Sequence, residues 1–420
     1  MGFVAVPQAP ALVLANASVP GCFLGEAAEL TRLNLAIVDG RLAEAAPPGA
    51  PVVDLGGGMV WPGFLDLHTH IDKGHIWPRQ ENPDGTFEGA LKATTADRAA
   101  RWSAEDVRRR MDFSLRCAYA HGTVALRTHL DSLPPQDAIS WPVFTEMRAE
   151  WRDRITLQAA SIITVEAFAD DRGRLLADRV AAAGGVLGCV TYPVPGLPGL
   201  LDTAVRLAAE RGLDLDLHVD ESANSASRTL DEVARAVRRN RFSGRVLAGH
   251  CCSLAQRPDA GHAMELAAEA GIAVVSLPMC NMFLQDRVPG RTPRWRGVTL
   301  LHELKARGIA VAIASDNTRD PFYGYGDLDM LEVFREAVRI GHLDRPVGDW
   351  PLALTATPAA IMGLDRGHLR VGAPADLVLF RGRNWSELLS RPQGDRVVLR
   401  AGRPIAATPP DYAELDDLFR

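Results

Sequence analysis

Along most of the chain, short apolar runs alternate with longer stretches in which apolar residues recur every three or four positions. Eight runs stand out, at 60–67, 122–130, 154–162, 186–190, 213–219, 244–249, 272–277 and 309–315. They are dense in Val, Ile, Leu and Ala with little polar alternation, as befits strands buried on both faces. Helical spacing marks 201–211, 230–238, 263–270 and 328–340. A further helix is opened by Ser103-Ala104-Glu105-Asp106, which offers a hydroxyl cap and an acidic third position, and is closed by His121-Gly122. Eight buried strands with intervening helices predict an α/β fold of the (β/α)8 TIM-barrel type. An open doubly wound sheet would usually carry a GxGxxG phosphate loop after its first strand, and none is present.

The two ends of the chain follow another rhythm. Positions 11–55 read as short strands, with Asp39-Gly40 as a hairpin turn, and strand signals return at 375–380 and 397–400. We therefore expect segments 1–58 and 368–420 to join into one small β-sandwich domain, with 59–367 as the barrel. Composition changes this picture little: 47% hydrophobic and 23% charged residues belong to a folded globular chain. The 46 basic and 52 acidic residues leave a net charge of −6 with no basic run suited to a phosphate backbone, so nucleic acid is not an expected partner. No apolar stretch approaches the roughly 20 residues that cross a bilayer. The apolar N-terminus has no Lys or Arg ahead of it and reads as strand, not as a signal peptide. Six scattered cysteines form no CxxC pair, and a reducing cytoplasm is the expected compartment.

Chemistry concentrates at the ends of the predicted strands, where barrels of this type build their active sites. His68 and His70 end the first strand; residues two apart on a strand face the same way, so both imidazoles can converge on one ion. His218 ends the fifth strand, His250 the sixth, and Asp316 the eighth. Each alone reads equally as a hydrogen-bonded core residue or a helix cap. Together they describe a mixed nitrogen and oxygen site for Zn²⁺ or Fe²⁺ with an open coordination position. Glu221, three residues beyond His218, is placed to shuttle a proton at the same mouth. Lys73, His75, Trp77 and Arg79 follow the first strand, and a solvated loop is their default reading.

These residues resemble the amidohydrolase superfamily, and within it the cytosine deaminase branch. The resemblance rests on His68-Thr69-His70, His218-Val219-Asp220-Glu221, His250, Ser315-Asp316, Gly85-Thr86-Phe87-Glu88-Gly89, Arg127-Thr128-His129-Leu130-Asp131, Asn281-Met282-Phe283-Leu284-Gln285 and the trailing Gly372-Ala373-Pro374-Ala375-Asp376. It implies His68, His70, His218 and Asp316 as metal ligands. By the same resemblance Asp316 accepts the proton of a metal-activated water, His250 polarises the nucleophile, and Glu221 carries a proton to the substrate ring. The fourth strand has no Lys to bridge two metals, so one divalent ion is expected. Where the branch has a Gln after the third strand this chain has Thr164, and where it has a second Asp this chain has Asn317. With Gln285 and Phe322 these are the expected substrate contacts. His70-Ile71-Asp72-Lys73 and Ser315-Asp316-Asn317 also resemble N-isopropylammelide amidohydrolases, which expel an alkylamine from a triazine. The leading expectation is deamination of a small pyrimidine-like N-heterocycle, cytosine first, by a homo-oligomeric enzyme. The alternatives are an s-triazine, isocytosine, creatinine or a pterin, and, outside catalysis, a binding homologue that would require lost ligands.

Overall fold

In the computed structural model, which describes residues 2–420, every one of the eight apolar runs contains a strand. They are Phe64–Thr69, Thr123–Asp131, Thr156–Ile162, Leu187–Thr191, Leu215–Val219, Val246–His250, Ile272–Ser276 and Val311–Ile313. The first three form one sheet and the last five another, whose neighbours pair in parallel. Single bridges connect Thr69 with Asp316 and Ala160 with Val186, both parallel. Most of these strands are buried at every position, including all of Leu215–Val219, Val246–His250 and Ile272–Ser276. That accounts for their unalternating apolar sequences.

The run at 60–67 holds two strands. Met59–Pro62 turns off into another sheet, and Phe64–Thr69 begins only after Gly63. A Cβ at Gly63 would lie 2.3 Å from Val124 Cγ1, so the change of sheet runs through a residue without a side chain. Helices at Phe87–Arg101, Asp137–Trp151 and Asp171–Ala182 were not signalled by apolar spacing. The first buries mainly small residues, Gly89, Ala90, Ala93 and Thr94, which carry little hydrophobic period. Its start is nonetheless explicit, because the Thr86 side chain accepts from the Gly89 N–H.

Contacts divide the chain into two compact units. One comprises Leu67–Leu115, Leu126–Asp327 and Asp411–Arg420. The other comprises residues up to Asp66, Arg116–Ala125 and Leu328–Pro410. In the second unit both ends of the chain supply strands to a single hydrogen-bonded eight-stranded sheet. The predicted hairpin is present: Val38 pairs with Arg41 across Asp39 and Gly40, both at positive φ, as a two-residue turn of this type requires. At the centre of this unit Trp61 is fully buried, its ring against Phe23, Phe64, Phe334, Phe380 and Trp385. Among the described residues no helix is long and apolar enough to cross a membrane.

Candidate active site

The strand ends deliver their polar residues to one place. His68 lies in strand Phe64–Thr69 and His70 just beyond it, and the Asp316 N–H donates to the His68 carbonyl at 2.9 Å. This ties the loop after the last strand to the first. Asp316 Oδ1 is then 3.3 Å from His70 Nε2 and 3.6 Å from His68 Nε2. His218 Nε2 stands 3.3 Å from His70 Nε2. Both His250 and Asp316 are in left-handed backbone conformation, φ 67° and 66°, which non-glycine residues adopt at a cost and which clusters at functional sites.

The donor set fits a divalent cation. Burial, followed by the charges of neighbouring groups, pushes the imidazoles of His68, His70 and His218 well below their ordinary range, so they present neutral lone pairs. His68 Nδ1 and Nε2, His70 Nδ1 and His218 Nδ1 are buried without a hydrogen-bond partner. Bonds of about 2.0–2.1 Å in a tetrahedral arrangement separate ligand atoms by about 3.3 Å, which is the spacing of His70 Nε2 from both His218 Nε2 and Asp316 Oδ1.

His129 is drawn into the same cluster, its ring 4.0 Å from that of His68. Its Nε2 stands 3.1 Å from Asp216 Oδ1, at ion-pair distance, while Arg127 donates to Asp216 Oδ2 at 2.9 Å. Burial alone would raise the Asp216 carboxyl, but His129 and Arg127 outweigh it and hold it below the usual carboxylate range. Asp216 was not singled out from the sequence, although it lies two residues before His218 and so faces the same way.

Glu221 and His250 meet beside the ligand cluster, with His250 Nδ1 3.3 Å from Glu221 Oε1. Burial and then the charge of Asp316 push the Glu221 carboxyl well above its ordinary value, while burial brings His250 down to about 3. One group is thus suited to carry a proton and the other stays neutral. A cavity opens onto His70, His218, Glu221, His250 and Asp316, and Thr164, Asn317 and Phe322 are in its wall. Gln285 is not; it stands behind Glu221 and donates to its backbone carbonyl at 3.3 Å. Lys73 does line the cavity, nearly buried, with Nζ 4.8 Å from the centre of the Phe322 ring. Its loop neighbours do not: His75 packs on Phe113, and Arg79 pairs with Asp97 and Asp106. Asn317 donates to Asp320 Oδ2 at 2.7 Å, which orients the amide that stands where the cytosine deaminase branch has its second Asp.

The profile of the amidohydrolase family matches residues 51–186 and 165–406. The chain belongs to that family and is a hydrolase acting on C–N bonds other than peptide bonds. It is 55% identical to a pterin deaminase of Rhizobium rhizogenes over 99% of both chains. It is 25% identical to the N-isopropylammelide isopropyl amidohydrolase of a Pseudomonas species, over 78% of this chain and 81% of the relative. In fold it resembles the 5-methylcytosine deaminase of Klebsiella pneumoniae liganded with 5-fluorocytosine, with a TM-score of 0.78 at 23% identity over 96% and 98% of the two chains.

Proposed function

We propose that the protein is a metal-dependent deaminase of pterin-like bicyclic rings, hydrolysing the exocyclic amine of a 2-amino-4-oxopteridine to a carbonyl and ammonia. The observation that carries this reading is the 55% identity to a pterin deaminase along essentially the whole of both chains. It favours the pterin over cytosine, which was the leading expectation from sequence. Besides the histidines and carboxylates, the cavity wall includes the apolar Phe87, Leu91, Leu133 and Ile163, which suit the faces of a flat heterocycle. Thr164 and Asn317, the departures from the cytosine pattern, both stand in its wall.

His68, His70, His218 and Asp316 would hold one Zn²⁺ or Fe²⁺ ion, which supplies a nucleophilic water at neutral pH. The chain's own groups do the rest. Asp316 takes the proton of the attacking water as the new C–O bond forms at the amino-bearing carbon. His250 holds that water by a hydrogen bond. Glu221 delivers a proton to the adjacent ring nitrogen and takes back the proton of the new hydroxyl as the carbonyl forms, while the proton held by Asp316 goes to the departing amine as the C–N bond breaks. The bridges Thr69–Asp316 and Ala160–Val186 join the facing edges of the two parallel-type sheets, and we read the eight strands as a closed (β/α)8 barrel carrying this site at its mouth.

The test is ammonia release from pterin, cytosine, isocytosine, N-isopropylammelide and creatinine by the metal-loaded protein. Pterin is expected to give the highest kcat/KM. A preference for cytosine or the triazine would overturn the substrate, and silence on all five would overturn the function.

A further inference from the structure

Asn281 is fully buried in helix Pro278–Leu284, just past the seventh strand of the barrel type. Its Nδ2 touches two groups at once, His250 Nδ1 at 2.9 Å and Glu221 Oε1 at 3.3 Å. An amide nitrogen has two hydrogens and no lone pair to offer, so both neighbours must accept. Turning the amide over would leave its NH₂ buried in the place where Oδ1 now has no partner, with two hydrogens unsatisfied in place of one oxygen. The orientation found is therefore the one the surroundings select.

Two consequences follow for where mobile protons reside. An imidazole whose Nδ1 accepts carries its single proton on Nε2, and His250 Nε2 is buried with no protein partner. Likewise a carboxyl whose Oε1 accepts from Asn281 carries any proton on Oε2. We propose that Asn281 is a positioning residue that assigns the proton-bearing atom of both neighbours, making His250 an Nε2–H donor toward the nucleophile and Glu221 Oε2 the oxygen that exchanges protons with the substrate. His250 so fixed cannot serve as the base, which leaves that role to Asp316. Gln285, one helical turn on, steadies the same arrangement through the Glu221 carbonyl.

This inference rests on the deaminase reading, but its first test needs no substrate. In zinc-loaded protein labelled with ¹⁵N-histidine, the His250 ring is identified by subtracting the spectrum of His250→Gln. The wild-type ring is expected as the Nε2–H tautomer; an Nδ1–H tautomer would overturn the proposal. In Asn281→Asp a carboxylate faces Nδ1, and the proton is expected to move there. A ring unchanged in that variant would remove Asn281 from control of the tautomer. Asn281→Leu, folded and carrying zinc, is expected to lose roughly 100-fold in kcat with KM changed by less than about threefold, the pattern of a group acting on the chemical step. Unaltered kcat would overturn the proposal. Failure on pterin with the wild-type tautomer as expected would sink the substrate and leave the role of Asn281 standing.

Discussion

His218 and His129 are both wholly buried, their rings 4.7 Å apart, yet they meet opposite fates. His218 turns Nε2 toward His70, and its buried Nδ1 has no hydrogen-bond partner among the described residues. His129 has Asp216 at its Nε2, and Asp216 is in turn pinned by Arg127. Residue type and burial are the same in the two cases. We propose that the Asp216 carboxylate beside His129 Nε2 makes that residue a buttress and leaves His218 as the metal ligand.

Breaking the ligand half of this comparison should have the largest effect. In His218→Asn we expect metal content near zero and loss of essentially all turnover, checked by elemental analysis and ammonia release. Retained stoichiometric metal would mean that His129 can take over the position and that the two histidines are not distinct. Next comes Glu221→Gln, which leaves the ligand cluster intact and should keep its metal while kcat falls by about 10²–10⁴-fold. Near-normal activity would remove Glu221 from the proton relay.

The buttress half predicts a smaller loss. His129→Asn leaves the Arg127–Asp216 pair in place and is expected to weaken metal affinity by about 10–100-fold, measured by competition with a chelator, in a protein that still folds. Loss of metal as complete as in His218→Asn would make His129 a ligand.

How far this division is legible in the sequence depends on which way an interaction runs. His68 and His70 are two apart on one strand, and His218, His250 and Asp316 each end an apolar run, so local spacing alone collects them. Asn281 acts across strands and helices on His250, 31 positions away, and Asp216 on His129, further still along the chain. Spacing along the chain does not say which groups such residues hold, although Asn281 opens the Asn281–Gln285 motif shared with the cytosine deaminase branch. Gln285 shows the converse: it sits in a motif shared with the cytosine deaminase branch, yet its side chain supports Glu221 from behind and does not face the cavity. In the fold, the eight runs were visible as apolar blocks, whereas the break at Gly63 was not, because both strands it separates are buried at every position and the residues on either side of it are apolar. The single eight-stranded sheet of the second unit is similarly hidden: its order places Leu377–Phe380 beside Met59–Pro62, a pairing more than 300 residues apart along the chain.

The smallest expected effect on activity comes from an ion pair that resembles Arg127–Asp216 in burial and differs in having no histidine ligand near it. Arg396 donates to both oxygens of Asp329 at 2.6 Å in the second unit. Burial raises the Asp329 carboxyl, but Arg396 and His121 more than offset this and hold it below the usual range. A carboxylate whose folded value is depressed stabilises the fold fully above its unfolded value of about 3.9, and the contribution is lost as pH falls through the lower folded value. Asp329→Asn leaves Arg396 buried without its counter-charge and should cost about 3–5 kcal/mol at neutral pH, with the gap to wild type narrowing in acid. The amide should leave kcat and metal content where they are. A drop in either at a temperature where the variant is fully folded would show that ion pairs away from the ligand cluster also set the site, and the contrast between ligand and buttress would then lose its local meaning.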